Sequence, residues 1–207
     1  MTFRTADQIR TAKVTAMGDD LGTIHHELSQ ELVWLNSKWQ EYLDLFAHSQ
    51  SRVDQLTDAA PFFFGMIQQV LFNDVLLHLA RLTDPPSTGG RQNLTLQRLP
   101  PLVKASLRRR AERRLRAVIK NTEFARDRRN RVIAHSDLPT LRKQHPKRLA
   151  HASRRRVRQA LEGMATLMNE VERHYERSEV FYQSPGQPGG AQTLVWKLQG
   201  SRLLPRK

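Results

Sequence analysis

The 207-residue chain contains no cysteine. That excludes both a disulfide framework and a thiolate metal site. A reducing compartment suits such a chain, and the expected location is cytoplasmic. The segment Met1-Thr2-Phe3-Arg4-Thr5 lacks the apolar core of a signal peptide. No long hydrophobic run is left uninterrupted: the densest, Phe62 to Leu82, is broken by Gln68, Gln69, Asn73, Asp74, His78 and Arg81. It makes a poor membrane span. Also missing are a P-loop, a Rossmann glycine pattern and a serine-centred nucleophile motif. The main body shows neither a solenoid period nor the alternation of exposed strands.

What the chain does have is positive charge in one place. Net charge is +14. Between Lys104 and Arg158 there are 20 Lys and Arg against four acids, Glu112, Glu123, Asp127 and Asp137. That quarter of the chain carries +16 and the remainder −2. A field so concentrated attracts polyanions and raises their encounter rate, which points to phosphate-rich nucleic acid as partner. A solvated basic surface is the plainer alternative. An anionic membrane is not expected, because no strong aromatic insertion face accompanies the basic segment.

With 39% apolar and 26% charged residues, the composition suits a globular protein with one sizeable core. Ile24, Leu28, Leu32, Leu35, Trp39, Leu43 and Phe46 recur at steps of three and four, one face of a long helix that begins near Gly22-Thr23. A second helix is predicted from Pro61 to Leu82, with Phe64, Ile67, Leu71, Val75, His78 and Leu82 facing the core. Asp84 to Gly90 reads as a mobile loop. A third helix follows Pro100-Pro101 with Leu107, Ala111, Leu115 and Val118 buried, and a break is expected near Asn121-Thr122. A Glu123–His135 helix comes next, stopped before Pro139. After a basic, turn-like stretch over 140–150, Val157, Leu161, Met164, Met168, Val171 and Tyr175 define a last long helix. Ser184 to Gly190 is a linker by composition, and the tail from Thr193 to Leu204 forms a short docked helix or strand. The expected fold is therefore all-α, an antiparallel helical bundle over residues 1–180, with a Gly/Pro linker and short C-terminal appendage over 181–207.

One stretch carries chemistry: Arg126-Asp127-Arg128-Arg129-Asn130-Arg131-Val132-Ile133-Ala134-His135-Ser136-Asp137. Arginine stays charged at any physiological pH, whereas histidine exchanges a proton near neutrality. RNA brings its own nucleophile, the 2′-hydroxyl. Cleavage needs a base for that proton, a cation on the phosphoryl oxygens and an in-line geometry. A histidine and one or two arginines suffice, with no metal and no cofactor. On this reading His135 transfers the proton, Arg129 clamps the phosphate with its forked guanidinium, and Asn130 positions the scissile group. Arg126, Arg128 and Arg131 bind further phosphate. At about 100° per residue, Arg128 and Arg131 lie within roughly 20–40° of His135 around the helix, but Arg129 lies roughly 120° away. Arg129 reaches the same phosphate most easily if the helix loosens before Pro139 or if another subunit presents it. Arg128 and Arg131 remain competitors for its role. Asp137 is a turn residue that pairs with Arg131, and His135 suits a helix C-terminus with or without catalysis.

Arg129-Asn130, four further residues and His135 resemble the R-x(4–6)-H signature of HEPN-domain proteins; Arg128 also satisfies that spacing. The wording around it, and Leu79-Ala80-Arg81-Leu82-Thr83-Asp84-Pro85 upstream, resemble the abortive-infection AbiU-type branch over residues 20–180. The resemblance implies a bundle that forms a homodimer, with two signatures facing one cleft. It further implies metal-independent cleavage to a 2′,3′-cyclic phosphate in a toxin–antitoxin or phage-defence setting, with Arg129, Asn130 and His135 as the site. Some members of the family only bind RNA or nucleotides, and that is the alternative function. A third possibility is a partner protein whose basic face docks an acidic antitoxin.

The other candidates carry less. His25-His26-Glu27 completes no ligand set and reads as surface or interface. His78 reads as a hydrogen-bonded core residue, and Asp74 as a bridge to Arg81 or the basic helix. Trp39 falls on a core face, while Trp34 and Trp196 are free to stack on bases.

Overall fold

The computed structural model describes residues 5–134, 137–145, 147–183 and 188–201. It is an all-α assembly of helices, with one two-stranded hairpin among the described residues. Two compact units are present. The first comprises the described residues within Met1–Leu32 and Leu76–Tyr182, and the second those within Val33–Val75 and Gln183–Lys207. Helices α2 (Asp19–Phe46) and α4 (Pro61–Arg81) each contribute to both.

The first unit starts with α1 (Ala6–Met17), which the apolar periodicity had not revealed. Thr5 and Gln8 cap it reciprocally, the Thr5 hydroxyl accepting from the Gln8 backbone and the Gln8 side chain from that of Thr5. Gly18, at a φ of 87°, ends α1, and α2 restarts at Asp19. Gly22 is therefore not where the helix begins. It lies inside α2, where a Cβ would sit 2.6 Å from the Val14 Cα, so only glycine lets α1 and α2 approach this closely. The core of this unit is α6 (Ala105–Arg128) against α8 (Arg154–Glu176). Leu107, Ala111, Leu115 and Val118 face Val157, Leu161, Met164, Met168 and Val171, all buried as their spacing predicts. No break occurs at Asn121-Thr122. The buried Thr122 hydroxyl donates back to the Val118 and Ile119 carbonyls, which removes its competition with the helix.

His25 and His26 are buried, which corrects their reading as surface or interface residues. His25 lies with Nε2 3.1 Å from the Met168 carbonyl and Nδ1 3.5 Å from Glu172. Glu172 also accepts from the buried Lys13 ammonium of α1. Burial, followed by the Lys13 charge, lowers the His25 pKa to about 4. Burial opposes ionisation of Glu172, but the Lys13 hydrogen bond and charge, with His25, hold its pKa below the ordinary value. This cluster ties α1, α2 and α8 together. Tyr182 closes the unit with its phenol 3.2 Å from the Ser29 hydroxyl, and burial raises its pKa.

Between α4 and α6 the predicted mobile loop is an anchored hairpin. Strands β1 (Ser87–Thr88) and β2 (Arg91–Gln92) pair across Gly89-Gly90, both with positive φ as a two-residue turn requires. The Thr95 hydroxyl donates to the Leu82 carbonyl at 3.0 Å and the Asp84 carbonyl at 2.7 Å. Gln97 donates to the carbonyls of Thr83 and Asp84. Short helix α5 (Leu99–Leu102) then leads into α6.

In the second unit, α3 (Gln50–Ala59) and α9 (Ala191–Ser201) complete a small apolar cluster of Leu45, Leu56, Phe64, Ala191 and Val195. The described part of the tail, to Ser201, thus docks as a helix, and Arg202 to Leu204 lie outside the described residues. Of the predicted linker, Ser184 to Gln187 lie outside the described residues. Trp39 is buried and stacks on Tyr42, whereas Trp34 and Trp196 are exposed. Asp74 bridges to Lys38 rather than to Arg81 or the basic helix. By length and composition alone α4 would reach across a bilayer, at a mean hydropathy of 1.3. Its N-terminal half exposes Phe62, Phe63, Met66 and Val70.

Candidate functional site

The arginine-rich motif begins in the last turn of α6 and continues into a wider π-helical turn, Arg129–Ile133. The Ala134 N–H donates to the Arg129 carbonyl five residues back, at 2.8 Å. Asp137 then donates its N–H to the Arg131 carbonyl at 3.1 Å, and its carboxylate caps α7 (Leu138–Leu141). The Thr140 hydroxyl bond holds the Asp137 pKa below its usual value. The regular helix expected over Glu123–His135 thus ends at Arg128 and widens from Arg129 to Ile133.

Two motif arginines converge on the end of α4. Arg126 Nη2 donates to the Thr83 carbonyl at 2.8 Å and the Thr83 hydroxyl at 3.1 Å. Arg129 Nη1 donates to Asp84 Oδ2, and its Nε to Asn130 Oδ1 at 3.0 Å. Arg126 Nε lies 3.9 Å from the other Asp84 oxygen, so one carboxylate sits between two guanidinium groups. Asp84 is itself held by the hairpin bonds to its carbonyl, and Thr83 by the Thr122 hydroxyl at 3.2 Å. Arg126, Arg129 and Asn130 therefore form one group with Thr83 and Asp84.

The other predicted residues stand elsewhere. Arg131 is buried at 9% exposure, 3.3 Å from both Asp127 oxygens, with Nε donating to the Thr140 hydroxyl. Its ion-pair partner is thus Asp127 and not Asp137, because Asp127 shares its helix face four residues back. Arg128 is half-buried, and its Nε is without a hydrogen-bond partner. His135 and Ser136 lie outside the described residues. Among the described residues no group of three or more His, Asp or Glu is placed to hold a metal ion.

Sequence spacing did not single out Asp84 as a site residue. The only trace was the Leu-Thr-Asp-Pro wording at the end of α4, and its partner Arg129 is 45 residues away. Beside Asp84 opens a cavity of about 300 Å³, bounded also by Glu31, Arg81 and the hairpin residues Gln92 to Leu94.

A family model described as AbiU2, of the HEPN type, matches residues 18–194. The chain belongs to the AbiU2 family of HEPN domains. Membership agrees with the all-α fold and suggests a module of the abortive-infection type. No curated protein and no solved structure matches the chain.

Proposed function

We propose that this AbiU2 protein is a metal-independent endoribonuclease of a toxin or phage-defence system. The 2′-hydroxyl of RNA attacks the adjacent phosphate, leaving a 2′,3′-cyclic phosphate and a free 5′-hydroxyl. His135 takes or returns the proton, Arg129 holds the phosphoryl oxygens, and Asn130 orients Arg129 and the scissile group. The Lys104–Arg158 segment draws the strand in, with Arg126 and Arg128 beside Arg129, while Arg131, buried against Asp127 and Thr140, holds the turn. The observation that supports the reading is the convergence of Arg126 and Arg129 on the end of α4, where α6 passes into the π-turn, inside a segment of charge +16. A π-turn is a recurrent feature of functional sites, and clustered guanidinium groups are the usual phosphate grip. The working form is a homodimer in the cytoplasm, with an acidic antitoxin protein as a further partner. RNA incubated with wild type and His135→Ala in excess chelator tests it. Wild type should cut and the variant should not. Identical degradation by both, or none by either, refutes the nuclease.

One observation favours the alternative, a non-catalytic RNA- or nucleotide-binding module. Arg129 is already engaged by Asp84, which competes with phosphate for the same guanidinium. In that case salt-sensitive RNA binding survives His135→Ala and weakens with arginine substitutions.

A further inference from the structure

We infer that the cavity beside Asp84 takes the nucleobase next to the phosphate held by Arg129, and that it prefers guanine. This rests on the RNA reading above and adds a base specificity to it. The first ground is position. Asp84 binds Arg129 and also lines the cavity, so a phosphate at Arg129 has the cavity at its side. The second is size, since about 300 Å³ exceeds the space a purine ring needs.

The third ground is the sense of the lining. Glu31 and Asp84 are carboxylates whose charge Arg81 and Arg129 offset, so the wall is close to neutral and their remaining lone pairs are hydrogen-bond acceptors. Asn93 spends its amide N–H groups on the Pro85 carbonyl and the Thr88 hydroxyl, which leaves its side-chain oxygen as an acceptor. Gln92 is engaged through its oxygen by Arg98, which leaves its NH₂ as a donor. Leu94 supplies an apolar wall for a ring face. A lining rich in acceptors with one or two donors complements a base that presents adjacent N–H groups beside one carbonyl. Guanine does so with N1–H, N2–H₂ and O6. Uracil sets two carbonyls around a single N–H and meets the carboxylates badly.

The fold explains why the cavity is built. Gly89-Gly90 turns the hairpin, and Thr95 and Gln97 lash its far side to the carbonyls of Leu82, Thr83 and Asp84. The amides of β2 and Asn93 are thereby fixed beside the end of α4.

Calorimetric titration of the full chain with the four nucleoside 3′-monophosphates tests the inference. A uridine-only oligoribonucleotide is titrated in parallel to report the arginine-rich face by itself. Wild type should bind the guanosine nucleotide about tenfold tighter than the uridine one, as one good two-point base contact gives. Leu94→Trp, which fills the cavity from its exposed edge, should reduce that preference to within about twofold while leaving the oligonucleotide bound. Glu31→Gln is a second route to the same loss, and circular dichroism checks that each variant folds. Equal affinity for all four nucleotides, no nucleotide binding, or a preference that persists in both folded variants overturns the cavity assignment. If the oligonucleotide still binds in those cases, the RNA reading stands without it. Absence of oligonucleotide binding removes the RNA reading and this inference together.

Discussion

Replacing Asp84 by asparagine should separate RNA binding from RNA cleavage. The Asp84 carboxylate and Arg129 guanidinium are each about three-quarters buried, at 20% and 25% side-chain exposure. Their pair is therefore worth more than an exposed one and less than a dry one, about 1–2 kcal/mol after allowing for solvent screening. The Asp84→Asn change keeps the shape of the side chain but removes the charge that orients Arg129 and neutralises it together with Arg126. Two effects of opposite sign follow. The freed guanidinium groups offer one further phosphate contact, so single-stranded RNA should bind several-fold tighter at low salt. The slope of log affinity against log salt should steepen by about 0.7. Meanwhile the clamp loses its direction, and cleavage at saturating RNA should fall roughly tenfold or more, the kinetic equivalent of 1–2 kcal/mol. Fluorescence anisotropy across a salt series and single-turnover cleavage measure the two. Asp84→Glu, longer by one methylene but charged, should restore the wild-type salt slope. If Asp84→Asn weakens binding and cleavage in equal measure, Asp84 merely supports the fold. If it changes neither, Arg129 is not governed by Asp84.

Acidification should destabilise the first unit through His25. Its pKa is about 4 in the fold against 6.5 in the unfolded chain, so the folded state holds it neutral and the unfolded state takes the proton first. Stability is complete above pH 6.5 and drains away as pH falls toward 4, by about 3 kcal/mol in all. Urea unfolding of wild type and His25→Gln across that range checks this, and parallel curves would refute it. Gly22→Ala should cost about 2–4 kcal/mol in the same assay, because the new Cβ meets Val14 backbone rather than a yielding side chain; an unchanged midpoint would mean α1 shifts freely. Val195→Ala should cost about 2 kcal/mol by opening the fully buried joint between α9 and the Leu56–Phe64 cluster. If unfolding is unaffected, the C-terminal helix is not held by that joint.

Period-3.6 patterning made α2, α6 and α8 readable, because each buries an apolar stripe, whereas α4 was readable from its apolar length after Pro61 although it also exposes Phe62, Phe63, Met66 and Val70. It failed where burial is polar. His25, His26, Lys13 and Glu172 carry charges or polar rings that single-chain patterning assigns to the surface. Lys13, His25 and Glu172 are inside because they meet one another across three helices, a relation with no local signature. The helix α1 was hidden for the same reason, since its inward face includes Lys13. At the candidate site the sequence marked the arginines by their density. It could not sort them, because Arg126, Arg129 and Arg131 differ only in which distant or neighbouring carboxylate receives them.

That sorting also accounts for the π-turn. Nothing in Arg129-Asn130-Arg131-Val132-Ile133 forbids an ordinary helix; there is neither glycine nor proline. The wider turn arises where side chains two positions apart are drawn in different directions. Arg129 is drawn to Asp84 at the end of α4, and Arg131 to Asp127 and Thr140. Arg131 keeps the ordinary four-residue pairing with Asp127, the wider turn accompanies the reach of Arg129 to Asp84, and the lost four-residue backbone bonds are replaced by Ala134 to Arg129 and Asp137 to Arg131. Asp84 and Asp127 thus act on the backbone as well as on the arginines. Releasing one of them should let the segment relax toward regular helix. Amide exchange at Ala134 in Asp84→Asn reports that change: its protection should alter if the two ion pairs impose the turn, and stay as in wild type if the backbone adopts it unaided.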